Sequence, residues 1–298
     1  MNALRYCLPA LFCLPLVVGA AQAAPEPGIT LYHVGVDNAP VIGFGSYSGL
    51  SNPNYQRLTF LLSHTFVDTP TSNHFHRIGS YGYTGDPLAP TPAFSANDSL
   101  PEPYYGDDGL ALLPGAGAFA GKLVSGLGAS TFPSDPIEQE YGDLTIRPID
   151  NLLQYDGLDG GTHPGHYLLN ASGDAYKSSV AGVSVGMMLT SITPGLTIHD
   201  ASGAPLFSGV GETLMLGPGA DWSVLPVFAV DASAATGTPF EATFVLKDLS
   251  ASPTLSDSAP FSFSFVSATA VPEPSTWLLA IAGLVGAAAL RRTGARLA

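Results

Sequence analysis

Two things are scarce in this sequence: cysteine and positive charge. The chain has two cysteines, Cys7 and Cys13, and both fall within its first 23 residues. The remainder therefore has no thiol for a disulfide or a thiolate metal site, and any metal must be bound by histidine, carboxylate or backbone oxygen. Residues 24–270 contain 23 acidic residues but only 6 basic ones, a difference of 17 negative charges. Such a surface repels nucleic acid and anionic lipid, so binding through basic patches is not expected.

The first 23 residues read as a secretory signal peptide. Arg5 precedes an apolar stretch that runs through Val18, and the small residues Ala21-Gln22-Ala23 follow it. A basic start, an apolar centre and a small-residue cleavage site are typical of such signals. We therefore predict export through the Sec translocon and cleavage before Ala24.

A second targeting pattern occupies residues 271–298. It consists of a Pro-Glu-Pro turn, an apolar run and a basic end, formed by Pro272, Glu273, Pro274, the segment 277–290, Arg291 and Arg292. Proline ends regular structure, and the arginines suit the cytoplasmic face of a membrane. As a helix the apolar run would be about 21 Å long at roughly 1.5 Å per residue. That is short for a permanent span, so we predict a transient membrane-anchoring transmembrane helix.

This tripartite tail resembles the PEP-CTERM sorting signal of bacterial envelope proteins. The resemblance implies recognition by a membrane-embedded exosortase, removal of the tail, and delivery to the outer surface or the exopolysaccharide matrix. It concerns the destination of the protein and carries no information about its activity there.

The segment between the two signals, residues 24–270, reads as one all-β domain. Short apolar or alternating runs recur between turn residues, as in Ile29–Val36, Arg57–Phe66 and His74–Tyr83, and Phe261–Phe265 alternates strictly. Short strands at regular spacing with few helical patterns predict a jelly-roll-like β-sandwich.

The strand pattern is interrupted in the middle of this domain and then resumes. Residues 84–142 are rich in proline, glycine and aspartate, and we predict a long irregular excursion with a helical turn around 121–127. After residue 143 the strand pattern returns, and His166–Asn170 is among the predicted strands.

Histidines are the residues most suited to chemistry. His74 and His76 are two apart, so on a strand both side chains point to the same side and could bind one metal ion. A hairpin could bring His64 near them, and His33 lies on the first predicted strand. His163 and His166 form a second pair. The alternative is that these imidazoles make ordinary hydrogen bonds at the edge of the core.

Three segments of the domain, 31–37, 49–59 and 73–79, resemble a PEP-CTERM family repressed by the zinc uptake regulator. The resemblance implies expression under zinc starvation and a surface role in zinc acquisition. It makes His33, His64, His74 and His76 the candidate zinc ligands. A zinc-starvation protein can also be a zinc-free substitute for another protein, which would reverse this prediction.

Enzyme motifs are incomplete in this chain, and we predict a protein without catalytic activity. Gly182-Val183-Ser184-Val185-Gly186 has the spelling of a nucleophile elbow, but no acidic residue lies between Ser184 and His199. Asp156-Gly157-Leu158-Asp159 could contact calcium but lacks the further acidic positions of a calcium loop. Paired carboxylates such as Asp107 and Asp108 could act in a polysaccharide hydrolase, the least favoured hypothesis.

The sequence thus supports two main hypotheses. The first is an exported surface protein that binds zinc when zinc is limiting. The second is a structural or adhesive component of the exopolysaccharide matrix, in which the histidines have no role in metal binding. Convergence of the imidazole nitrogens on one point would favour the first hypothesis.

Overall fold

The computed structural model describes residues 30–66, 69–95, 97–103, 109–126 and 144–268. The predicted signal peptide and the predicted transmembrane helix at 277–290 lie outside these residues. Among the residues described, no helix is both long and apolar enough to cross a membrane.

Most of the regular structure is β-strand. The strands before the helices are β1 (Tyr32–Asp37), β2 (Arg57–His64), β3 (His74–Ile78), β4 (Tyr81–Thr84), β5 (Thr91–Phe94), β6 (Ser99–Leu100), β7 (Leu110–Pro114), β8 (Lys122–Val124) and β9 (Ile146–Pro148). The helices are α1 (Asp150–Leu153) and α2 (Pro164–Asn170). The later strands are β10 (Ser184–Ile192), β11 (Thr197–His199), β12 (Thr213–Pro218), β13 (Val227–Asp231), β14 (Pro239–Asp248) and β15 (Phe261–Ser267). Short 3₁₀ turns occupy Pro70–Ser72, Gly117–Phe119 and Leu158–Gly160.

These strands form two main sheets and a hairpin. The small sheet has the order β3-β2-β1-β9, in which β9 is parallel to β1 and the other pairs are antiparallel. The large sheet has the order β11-β13-β8-β7-β15-β14-β10-β12, and β6 also pairs with β15. Strands β4 and β5 form the separate hairpin. Strand β15 therefore lies in the middle of the large sheet.

An aromatic core joins the two sheets. Phe60 of the small sheet stacks on Phe261 of the large sheet, with ring centroids 4.5 Å apart. Tyr32 meets the edge of Phe263 at 6.1 Å. All four side chains are almost fully buried. Because β15 alternates phenylalanine with serine, all of its phenylalanine side chains point to one side of the sheet, toward this core.

The other face of the small sheet packs against the segment that contains the two helices. Gly35 makes this close approach possible, since a Cβ atom there would lie 3.2 Å from Leu61 and 3.6 Å from Ile149. Nearby, Phe75 contacts Tyr176 edge to face at 5.8 Å. The small sheet is therefore covered on both faces, which explains why all of β1 and the six central residues of β2 are buried.

The all-β prediction is confirmed, with two local differences. Predicted strand His166–Asn170 is instead helix α2, which begins with Pro164 and is capped by the ring of His163 accepting from the Gly165 amide. Proline at the first position and a side-chain acceptor before it are helix-start signals. The predicted irregular excursion at 84–142 contributes strands β5 to β8, and the helical turn expected around 121–127 is replaced by strand β8.

Candidate metal centre

The hairpin of β2 and β3 places three histidines on one face of the small sheet. His64 lies directly opposite His74, and Leu62 lies directly opposite His76. Residues directly opposite each other share a face, and so do residues two apart on one strand. The connection is held by Asn73, whose side-chain oxygen accepts a hydrogen bond from the Phe66 amide at 2.7 Å. The three imidazoles consequently face the same space at the edge of the aromatic core.

Their ring nitrogens converge. Nδ1 of His64 is 3.3 Å from Nε2 of His76, and Nε2 of His74 is 2.8 Å from the same atom. The three nitrogens all lie within 4.8 Å of one another, and each side chain is half-buried. Zn–N bonds of roughly 2.0–2.1 Å in a tetrahedron separate two ligand nitrogens by about 3.3 Å. The cluster therefore has the ligand type and the spacing of a three-histidine metal site.

Hydrogen bonds to the far side of two rings set their tautomers. Nδ1 of His74 is 2.7 Å from the Ser72 carbonyl oxygen, which can only accept, so Nδ1 donates. Nδ1 of His76 is 2.7 and 2.8 Å from the two carboxylate oxygens of Glu102 and donates to them. In the neutral rings, the two Nε2 atoms then carry lone pairs. Two lone pairs that face each other at 2.8 Å repel, and a cation between them removes the repulsion.

Glu102 is the functional residue that the sequence analysis missed. Its side chain is 1% exposed and also accepts a hydrogen bond from the Asn97 amide at 2.7 Å. A carboxylate that accepts from the second nitrogen of a ligating histidine orients the ring and raises its basicity. Glu102 lies 26 residues after His76, beyond three strands, so no spacing rule connects the two.

His33 does not join the cluster. On β1 it lies opposite Leu61, which points to the other face of β2 from His64. Its ring is fully buried, with Nε2 3.3 Å from the Thr30 hydroxyl and Nδ1 3.1 Å from the Ser63 hydroxyl. The prediction that His33 shares the metal with the other three histidines is therefore corrected: this imidazole is part of the core.

Burial makes His33 a pH-sensitive element of stability. Burial, and then the charge of Arg147, lower the pKa of His33 from 6.5 to about 3. The unfolded chain therefore takes up this proton first, so stability is fully present above pH 6.5 and is lost as the pH falls toward 3. As the pH falls through this range, we expect protonation of His33 to lower the free energy of unfolding by up to about 1.4 kcal/mol per pH unit.

Urea unfolding at pH 7 and pH 5 measures this effect. His33→Gln is expected to make the pH dependence shallower, and His199→Gln, at a partly exposed imidazole on β11, is the matched comparison. Equal pH dependence in the wild type and His33→Gln would contradict the prediction.

The other sequence candidates have separate environments. His166 donates to Asp156 at 2.9 Å, and Lys177 also binds this carboxylate at 3.0 Å, so protein donors satisfy it. Hydrogen bonds from Asn170 and then Lys177 lower the pKa of Asp156 to about 2. Ser184 begins strand β10 and does not lie at a strand-to-helix turn.

Comparison with known proteins identifies one family, the PEP-CTERM protein-sorting motif, over residues 270–292. No curated protein and no solved structure matches the chain. The resemblance of segments 31–37, 49–59 and 73–79 to the zinc-regulated family is not shown by these comparisons. The chain therefore carries the PEP-CTERM sorting motif, which implies processing by exosortase at the membrane, export, and sorting to the cell surface or envelope.

Proposed function

We propose that the exported body binds one zinc ion through His64, His74 and His76. The observation that carries this proposal is the pair of Nε2 lone pairs of His74 and His76, which face each other at 2.8 Å while both Nδ1 atoms donate elsewhere. A metal ion bound by both lone pairs is stabilised by this arrangement, and the carboxylate behind His76 supports it.

Zinc is among the metals that fit these ligands. Three imidazole nitrogens suit zinc and other late transition metals, whereas magnesium and calcium prefer oxygen. Glu102 is held by His76 and Asn97, so it supports the ligands from behind and leaves the fourth position to water or an incoming group. Three protein ligands with one open position are typical of zinc sites that exchange a ligand.

The proposed role is capture of zinc at the cell surface, without catalysis. The half-buried ligands leave the site accessible from solvent, as exchange of a metal ion requires. The resemblance to a zinc-repressed family agrees with a need for this function when zinc is scarce. In this proposal, export begins at the Sec translocon and passes through a membrane-anchored stage at residues 277–290. In the same proposal, the exported domain folds as a jelly-roll-like β-sandwich.

Zinc titration of the full-length chain tests the function. The chain is solubilised in mild detergent, stripped with a chelator and titrated by calorimetry near neutral pH, with magnesium as the oxygen-preferring comparison. We expect one zinc per chain and no saturable binding of magnesium. Absence of stoichiometric zinc binding would overturn the proposal and leave a structural component of the exopolysaccharide matrix as the working function.

The role of Glu102 gives a separate prediction. Glu102→Gln keeps the size of the side chain but removes the charge that orients His76, so zinc affinity is expected to fall about 10- to 100-fold. Competition with a chromogenic chelator measures the change. Glu212→Gln is the matched control, since Glu212 is exposed and binds Ser208. Equal affinities of Glu102→Gln and the wild type would show that the carboxylate does not act on the metal.

A further inference from the structure

A second candidate site lies beside strand β3, where an open cavity of about 840 Å³ extends between β3, the loop after β1 and the loop after α2. Its wall is largely apolar and includes Ile42, Phe44 and Phe75. Cavities of this size with apolar walls and a few convergent polar groups are typical of small-ligand sites.

Two polar side chains of the cavity, Arg77 and Tyr176, have hydrogen-bonding capacity available for a ligand. Arg77 binds the buried Asp37 through one guanidinium nitrogen at 3.1 Å, which leaves further N–H donors on the same group. Tyr176 also lines the cavity and is 3% exposed, and its hydroxyl makes no hydrogen bond within the described part of the chain. Burial raises the pKa of this hydroxyl, so it stays protonated and can both donate and accept. The hydroxyl oxygen is not among the fully buried polar atoms that lack a partner, so it reaches solvent in the cavity and a ligand hydroxyl can replace water there.

Charge decides the class of ligand. In the metal-free protein, the charged groups of the cavity lining are one cation, Arg77, and two carboxylates, Asp37 and Asp174, and residues 24–270 carry the large negative charge described above. An anionic ligand would be repelled on balance. A neutral ligand with several hydroxyls can accept from Arg77, exchange a hydrogen bond with Tyr176, and place its C–H face on the apolar wall.

We propose that this cavity binds a neutral saccharide, such as a terminal segment of an uncharged polysaccharide. The cavity exceeds the volume of a single sugar ring, and its open side allows a chain to continue into solvent. The polar contacts proposed here come from Arg77 and Tyr176, which contribute no nitrogen to the three-histidine cluster, although His74 of that cluster also lines the cavity.

The test uses the full-length chain in a detergent without a sugar head group and with EDTA present. The probes are neutral tetrasaccharides of glucose, galactose and mannose, with tetragalacturonate as the charged comparison. Calorimetry measures their affinities. We expect at least one neutral probe to bind and tetragalacturonate to bind more weakly than that probe.

Two variants locate the binding. Tyr176→Phe removes only the hydroxyl, which has no partner to lose, and is expected to weaken binding about threefold to tenfold. Gly43→Trp adds a ring where a Cβ atom meets nothing within 4 Å, and it is expected to block the cavity. Tyr55→Phe, outside the lining, is the control and should bind as the wild type does. The proposal is overturned if no neutral probe binds, if tetragalacturonate binds best, or if both cavity variants keep full affinity.

Discussion

The His76→Ala variant is expected to lose stoichiometric zinc binding. Nε2 of His76 lies within 3.3 Å of the ligand nitrogens of both His64 and His74, so its removal leaves two imidazoles and a gap between them. Zinc requires three or four ligands in a tetrahedron, and we expect affinity to fall more than about 100-fold. This exceeds the effect of a substitution that only disturbs the orientation of a ligand. Equilibrium dialysis followed by metal analysis measures the loss.

A second ligand variant distinguishes loss of a metal ligand from loss of structure. His76→Ala leaves the buried Glu102 without one of its donors, so a loss of zinc could reflect a loss of structure. His74→Ala avoids this problem because the hydrogen bond from Nδ1 of His74 goes to a backbone group near the surface, the Ser72 carbonyl. We expect folded His74→Ala to lose stoichiometric zinc as well, and His199→Ala to retain it. Stoichiometric zinc in folded His74→Ala would rule out the three-histidine site.

Phe263→Ala is expected to destabilise the protein by about 3–5 kcal/mol, the usual cost of removing a fully buried ring. Phe263 is 0% exposed and lies where the two sheets meet. Its ring contacts five others within 6.3 Å, those of Tyr32, Phe60, Phe228, Phe244 and Phe261. Because neighbours from both sheets cannot all move into the space, a cavity remains and the full cost applies. Urea unfolding followed by circular dichroism measures the change.

The matched comparison for this prediction is Phe44→Ala. Phe44 is 77% exposed, so its removal is expected to change stability by less than about 0.5 kcal/mol. Similar losses in the two variants would show that the aromatic core between the sheets does not carry the stability assigned to it.

Most of the candidate metal centre follows from local sequence rules. His74 and His76 are two apart on a strand, and an antiparallel hairpin with the preceding strand brings His64 opposite His74 across the connection 65–73. His33 could not be placed in the same way, because its face depends on the register between β1 and β2. A shift of one residue in that register reverses the face of every side chain. Glu102 depends on the folded path of a segment with no periodic pattern.

In the fold as well, some features follow from local sequence and others depend on contacts between distant residues. The all-β class follows from alternation and turn residues, most clearly in β15. The parallel pairing of β9 with β1 joins residues more than 110 positions apart and has no local signal. In α2, the apolar run Tyr167-Leu168-Leu169 fits strand and helix equally well, and the choice depends on Pro164 and His163 just before it.

The central position of β15 has a consequence for the order in which the protein can fold. Synthesis proceeds from the N-terminus, so β15 is made after every other strand of the large sheet, and residues 270–292 of the sorting motif follow it closely. Without β15, the order of the large sheet divides into two groups of strands, and β7 and β14 lack the partner that joins them. Such edges associate with other chains. The large sheet is therefore most exposed to association with other chains until β15 is made, because that one strand pairs with β14 on one side and with β7 on the other.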